Sequence, residues 1–410
     1  MNNKIGVSVV AVLSLVFLAS FVSTNKEVSF EGYPIKNIEV EKNFKFSPQQ
    51  YGTYTELIHG DENKAKEIKL LGLDYVILYT YQTGDQYLQD VYDDICLFGR
   101  YGIGVILLLK GDADIVANTA LRFSRLKNLI GWYVYDEPTI NEKSREMQDE
   151  KIKTLKQIRD IPCFTTECGY GEELTQNTLS TLYDYIFSDV YVKKTKLRTD
   201  ADLLRYYGSI GKIYSYGVDK VLPVYETYWE TDSFKDLENN LLMKKNLYGN
   251  NKGGVFFIYY TGETVPNANV IYNSNKLKNV VAHIVQQKAS DGRIAIKGFC
   301  YHDKIHRSNK KFVQFSRRKN MLEDGYLLDG ESSFTIAFGK KVSAVRLYYV
   351  IDNSNLQVPD VFVNNKKITD INKASGAEGS FILEDIDSKT LSFTSNGNIM
   401  FKSLICIGVY

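Results

Sequence analysis

Between residues 44 and 289 the chain alternates eight times between a short apolar run and an amphipathic stretch. The apolar runs are Phe44–Tyr51, Tyr75–Tyr81, Gly104–Lys110, Ile130–Asp136, Cys163–Glu167, Tyr185–Tyr191, Leu222–Glu226 and Val255–Tyr260. Most are continuous and rich in β-branched or aromatic residues, as strands covered on both faces are. Among the intervening stretches, Asn63–Leu71, Asp85–Arg100, Glu142–Arg159, Thr199–Tyr216, Asp232–Leu247 and Asn275–Gln287 read as helices. Asp232-Ser233 and Asn273-Ser274 supply good starts for the last two. Eight strand–helix units of this length predict a (β/α)8 barrel. A doubly wound open sheet is the alternative. It usually carries a Gly-rich phosphate loop after its first strand, whereas Gly102-Ile103-Gly104 precedes a strand.

After residue 290 the helical periodicity stops. Ile294–Tyr301, Phe312–Phe315, Ser333–Phe338, Ala344–Ile351, Val361–Val363, Phe381–Leu383, Leu391–Phe393 and Ser403–Val409 read as short strands. Asp329-Gly330, Asn364-Asn365 and Asn396-Gly397-Asn398 supply turns between them. This pattern predicts a β-sandwich over 290–410, packed on the barrel because no low-complexity linker intervenes. It contains no Trp, so an accessory role is expected of it.

At the other end, Lys4 precedes an apolar run from Ile5 to Val22, and the polar Ser23-Thr24-Asn25-Lys26 follows. Residues 1–23 therefore read as a signal peptide or a signal anchor. Residues 24–43 read as an extended lead-in. An exported protein is expected: secreted, periplasmic, or anchored through residues 5–22 and facing outside.

Fifty basic residues against forty-nine acidic ones leave a net charge of +1, so the footprint of a nucleic-acid binder is missing. Five cysteines and four histidines show no metal-ligand spacing, so neither metal nor cofactor is expected. Cys96 reads as a buried helix residue. Thirty Tyr and twenty-one Phe stand against two Trp, a surplus that suits a sugar-binding surface or simply fills strands.

Function in a barrel collects at the C-terminal ends of the strands. Those ends carry Tyr79 and Tyr81, Asp136 and Glu137, Glu167, Asp189 and Tyr191, Glu226 with Tyr228 and Trp229, and Tyr259, Tyr260 and Glu263. Carboxylates ringed by aromatics suit an oligosaccharide or polysaccharide. A catalytic acid needs an apolar surround and a neighbouring charge. Glu137 has both in sequence, since it follows Trp132-Tyr133-Val134-Tyr135 and adjoins Asp136. The bland alternative is that Asp136-Glu137-Pro138 caps the next helix.

The run Gly131-Trp132-Tyr133-Val134-Tyr135-Asp136-Glu137-Pro138, together with Ser188-Asp189-Val190-Tyr191, resembles the retaining (β/α)8 glycoside hydrolase superfamily. In that superfamily the acid/base is a Glu after strand four, commonly within Asn-Glu-Pro. The resemblance implies Glu137 as acid/base and Glu226 as the second carboxylate, with Glu167 its rival. Asp136 stands where the Asn that contacts the sugar 2-hydroxyl would be. Asp136, Glu167, Asp189, Tyr191, Trp229 and Tyr259 are the expected substrate contacts, with Trp229 as stacking platform or as core. The implied activity is cleavage or transfer of a glycosidic bond. A barrel that binds carbohydrate without catalysis is the alternative.

Overall fold

The computed structural model describes residues 44–410 apart from 83, 169–177, 191–198, 208–209, 228–233, 262–269, 291, 301–312, 317–320, 323–324, 353–358, 370 and 372–377. The expected export segment, Tyr191, Tyr228, Trp229 and Glu263 lie outside the described residues.

Eight parallel strands close into a barrel: β1 (Tyr51–Thr55), β2 (Tyr75–Leu78), β3 (Gly104–Leu108), β4 (Leu129–Asp136), β5 (Cys163–Glu167), β6 (Tyr185–Ser188), β7 (Val221–Glu226) and β8 (Gly254–Tyr260). Helices α1 (Glu62–Leu70), α2 (Asp85–Arg100), α3 (Ala113–Phe123), α4 (Arg145–Ile158), α5 (Asp200–Tyr207), α6 (Ile210–Tyr214), α7 (Phe234–Tyr248) and α8 (Asn275–Gln286) lie between and after them. The stretch read as one helix over Thr199–Tyr216 is two, and α3 was not among the named helices. Caps behave as their chemistry requires: the Asp61 carboxylate accepts from Asn63 N at 2.9 Å, and Ser274 Oγ from Leu277 N at 3.3 Å. Cys96, read as buried, is exposed on α2.

The first strand differs from its expected position. Phe44–Gln50 is not a strand; β1 begins at Tyr51. Phe46 instead enters the barrel interior, with its ring 4.8 Å from Phe164, 4.8 Å from Tyr185 and 5.5 Å from Tyr75. Tyr75 and Tyr185 open β2 and β6, so Phe46 closes the end of the barrel opposite the strand tips. Its apolar alternation marked a buried segment, and tertiary packing used it as a plug rather than a strand.

Two layers of core follow from strand alternation. Ile77, Ile106, Ile130, Tyr133, Phe164, Phe187, Leu222 and Val224 fill the barrel. Val76, Val105, Trp132, Val134, Val221 and Tyr225 face the helices.

Beyond α8, β9 (Ile294–Cys300) pairs with the long strand Asn398–Val409. That strand is central to a sheet with Met321–Leu322, Gly325–Asp329, Ala344–Asp352 and Glu378–Leu383. A second antiparallel sheet holds Val313–Ser316, Ser333–Val342, Ser388–Ser395, Val361–Val363 and Lys366–Ile368. Phe334, Ile336, Leu347, Tyr349, Phe393 and Leu404 form the core of this sandwich. Tyr348, Ile405 and Ile407 point the other way, into the barrel's helical core. Arg346 donates to Leu204 O at 3.3 Å and Arg293 pairs with Asp200 at 3.2 Å, so the two parts are docked on each other.

Candidate active site

The site begins with an irregularity in β4. Pairing with β5 runs Tyr133 to Phe164 but Tyr135 to Thr165, so one extra residue is accommodated on β4. Such a bulge re-aims the side chains that follow it. Tyr133 points into the barrel, while Tyr135 points out, donating its hydroxyl to Asp112 Oδ1 at 2.7 Å. Asp136 therefore turns inward. The Tyr133 hydroxyl donates to its Oδ1 at 2.5 Å.

Behind that contact stands a row of hydroxyls. Tyr133 Oη lies 2.6 Å from Thr166 Oγ1, which lies 2.7 Å from Tyr54 Oη. Each hydroxyl carries one proton, so the row is satisfied when Tyr54 donates to Thr166, Thr166 to Tyr133 and Tyr133 to the carboxylate. Tyr79 also hydrogen-bonds Asp136. Burial raises the Asp136 pKa and these two phenols oppose the rise.

Glu137 follows with φ 42°, a left-handed conformation uncommon for a residue with a Cβ. Three hydrogen bonds bracket it: Glu137 N to Thr166 O at 3.0 Å, Asn141 N to Glu137 O at 3.0 Å, and Asn141 Nδ2 to Asp136 O at 2.7 Å. Strain held by surrounding structure is common at functional sites. The carboxyl is partly exposed, and its pKa is pushed up to about 7, first by burial and then by the negative charge of Asp136. A hydrogen bond from Cys168 opposes the rise. The negative charge of Asp136 thus acts on the Glu137 carboxyl in the direction that favours its protonated form.

Glu167 is buried and accepts from Thr139 N at 2.9 Å, which ties β5 to the loop that carries Glu137. Burial pushes its pKa to about 7, and the charges of Glu137 and Asp136 add to the rise. This places Glu167 beside Glu137, as a support for its loop. Asp189, after β6, is partly exposed and its charge acts with that of Asp136 on Tyr54.

Two expected residues face elsewhere. Glu226, expected to meet Glu137, is buried in an ion pair with Lys244 of α7. Lys244 also donates to Val190 O at 2.7 Å and Val224 O at 2.8 Å, and the Glu226 charge acts on Tyr248 of the same helix. The neighbours acting on Glu137 are Asp136 and Cys168, not Glu226. Tyr259, expected at the mouth, is packed against α1, its hydroxyl donating to Glu67 Oε1 at 2.9 Å. In both cases the strand end is as expected; Tyr259 takes the helix-facing side, and Glu226 is engaged by a lysine reaching in from α7.

Tyr54 and Glu56, which strand reading missed, join Tyr79 and Tyr81, which it named, at the rim. Tyr54 stacks on Tyr79 at 5.4 Å, and Tyr79 on the half-exposed Tyr81 at 5.9 Å, forming a stair of rings from interior to rim. Glu56 hydrogen-bonds Tyr81 at its outer edge. The aromatic and β-branched run Tyr51-Gly52-Thr53-Tyr54-Thr55 would have marked Tyr54 and Glu56 had β1 been set there. Among the described residues, no group of His, Cys, Asp and Glu is arranged to hold a metal ion.

No family model and no curated protein matches the chain. Several solved structures are similar to this chain. One is a GH5_18 structure from Streptomyces cattleya in complex with GlcNAc, 11% identical over 61% of this chain and 83% of that chain, with TM-score 0.45. A glycoside hydrolase family 5 structure from Bacteroides vulgatus is 11% identical over 88% of this chain and 89% of that chain, with TM-score 0.42. A GH113 beta-1,4-mannanase complex is 13% identical over 60% of this chain and 100% of that chain, with TM-score 0.41.

Proposed function

We propose that the barrel mouth binds an oligosaccharide or polysaccharide and cleaves or transfers a glycosidic bond, with Glu137 as the general acid. The observation that carries this reading is the state of Glu137: a partly exposed carboxyl at a strand tip, pushed up to about 7 beside Asp136. A general acid is most effective when its pKa lies near the working pH. The stair of Tyr54, Tyr79 and Tyr81 beside it offers the flat apolar faces on which sugar rings stack. Residues 5–22 support export to where such polymers lie.

A second reading has its own support. The expected partner Glu226 is spent on Lys244, which suits a barrel that binds sugar without cleaving it. Purified protein and Glu137→Gln, screened side by side on a glycan panel for both cleavage and binding, separate the two. Cleavage that the variant loses supports the enzyme; binding with no cleavage by either protein supports the binder; neither binding nor cleavage would sink both.

A further inference from the structure

Strand alternation alone would turn Glu137 away from the mouth. Tyr133 faces the barrel interior, the bulge leaves Val134 and Tyr135 on the helix side, and Asp136 turns inward again. The next residue of an extended strand would point back toward the helices. Glu137 instead accepts a hydrogen bond from Cys168, just past β5, and lies within the field of Asp136. What takes it out of the alternation is its φ of 42°. Nothing in its local sequence favours that conformation. Glu137 carries a Cβ, and a residue before proline prefers an extended backbone. The turn over residues 137–142 is therefore held by the bonds around it.

Asn141 makes two of those bonds. Its side-chain amide donates to Asp136 O at 2.7 Å, and its backbone N–H donates to Glu137 O at 3.0 Å. These carbonyls belong to the two peptide planes on either side of the Glu137 Cα, and the rotation between those planes is the conformation of Glu137. Resting on the glycosidase reading above, we propose that Asn141 is a positioning residue for the general acid, fixing the left-handed turn at Glu137 and so aiming its carboxyl at the mouth rather than at the helices. Two bonds from β5 brace the same turn: Glu137 N donates to Thr166 O at 3.0 Å, and Thr139 N to Glu167 Oε1 at 2.9 Å. The groups that act on the Glu137 carboxyl are Asp136 of its own strand and Cys168. Glu167 faces the turn from β5, and the charges of Glu137 and Asp136 act on it. Tyr79 and Tyr133 bond Asp136, and Lys143, later in the loop, pairs with Asp112. Asn141 is itself exposed, and replacing an exposed side chain ordinarily changes little. A strong effect on Glu137 is therefore a sharp signature.

The test reads Glu137 directly, without a substrate. In protein labelled with carbon-13 at the glutamate side-chain carboxyl, the Glu137 resonance is the one that Glu137→Gln removes. In the parent it should titrate at about 7. In Asn141→Ala the carboxyl leaves its half-buried place beside Asp136, and its titration should fall toward the ordinary 4.5. The fall should be about one pH unit or more, a tenfold change in acid strength. On the panel glycan that the parent cleaves fastest, Asn141→Ala should lower kcat about a hundredfold, the scale of a small misplacement of a reacting group. KM should stay within a few fold, and the alkaline limb should move to lower pH with the NMR titration. A second pair of variants reads the turn itself. Glu137→Gly should melt higher than Glu137→Ala, the reverse of the order in an extended strand, because only glycine takes a positive φ without strain. A Glu137 resonance that titrates alike in the parent and in folded Asn141→Ala overturns the proposal and leaves the glycosidase reading standing. Glu137→Ala melting as high as Glu137→Gly overturns it too, since no left-handed turn would then be held. A shifted titration in a protein that cleaves no glycan supports the aiming of Glu137 by Asn141 and removes the glycosidase reading beneath it.

Discussion

Lys244 of α7 and Glu226 at the end of β7 form an ion pair with side chains only 1% and 4% exposed. The pair also ties two strands to the helix, because the same ammonium reaches Val190 O and Val224 O. The carboxylate expected as the second one of the site is thus held in a buried ion pair.

Lys244→Met should strand a buried carboxylate without its counter-charge and cost about 3–5 kcal/mol of stability. Lys244→Met combined with Glu226→Gln should recover part of that loss, because no charge is then left unpaired. Urea denaturation of the three proteins gives the comparison; equal stability of single and double variants would show that the pairing is immaterial.

On the role proposed for it, Glu137 should set the alkaline limit of activity. A group that must be protonated to act and titrates at about 7 makes kcat fall as pH rises through that value. Glu137→Gln should lower kcat by about 10²–10⁴-fold and remove this limb from whatever activity remains. A limb that survives in the variant would assign it to another group.

Glu167 links stability to pH. Its folded pKa, about 7, lies above the ordinary carboxylate value. The folded state therefore holds a proton that the unfolded chain has released, and stability falls as pH climbs between about 4.5 and 7. Glu167→Gln keeps an oxygen for Thr139 N but has nothing to ionise. It should be roughly 1–3 kcal/mol more stable than the parent at pH 8 and little changed at pH 4, as read by chemical denaturation.

Thr166→Val cuts the row of hydroxyls between Tyr54 and Tyr133. Two buried phenols lose a partner, at a cost of about 1–3 kcal/mol. Catalysis should weaken as well, since Tyr133 is the anchor of Asp136. Thr166→Ser should restore both properties; failure of that rescue would place the effect in packing.

The sandwich docks where α6 has no side chain to spare. A Cβ on Gly211 would lie 2.1 Å from the Tyr348 ring. Gly211→Ala should therefore cost about 1–3 kcal/mol through overpacking, and pairing it with Tyr348→Ala should relieve that clash. Calorimetry of the single and paired variants distinguishes this from a local effect on the helix.

Much of this molecule is written locally. Apolar runs alternating with amphipathic stretches determine a closed parallel barrel, and the change to short alternating strands determines the sandwich. Seven of the eight barrel strands overlap the expected runs closely, because strands buried on both faces leave an unbroken apolar signature. The place of Glu137 at the tip of β4 was equally legible, since a strand end is a matter of sequence position.

Which side of the sheet a tip residue faces was decided only in three dimensions. The bulge between Tyr133 and Tyr135 brings Asp136 inward and sends Tyr135 out, and nothing in the local pattern announces an extra residue in one ladder. Tyr259 turns to the helices, where Glu67 meets it, and Glu226 is met by Lys244; both partners are distant in sequence. Phe46 carries the pattern of a strand yet plugs the barrel, because the tertiary structure left an apolar opening between Tyr75, Phe164 and Tyr185. Periodicity records that a residue is buried. The partners that share its burial, and so the chemistry left at the mouth, are settled by contacts between segments that the chain keeps far apart.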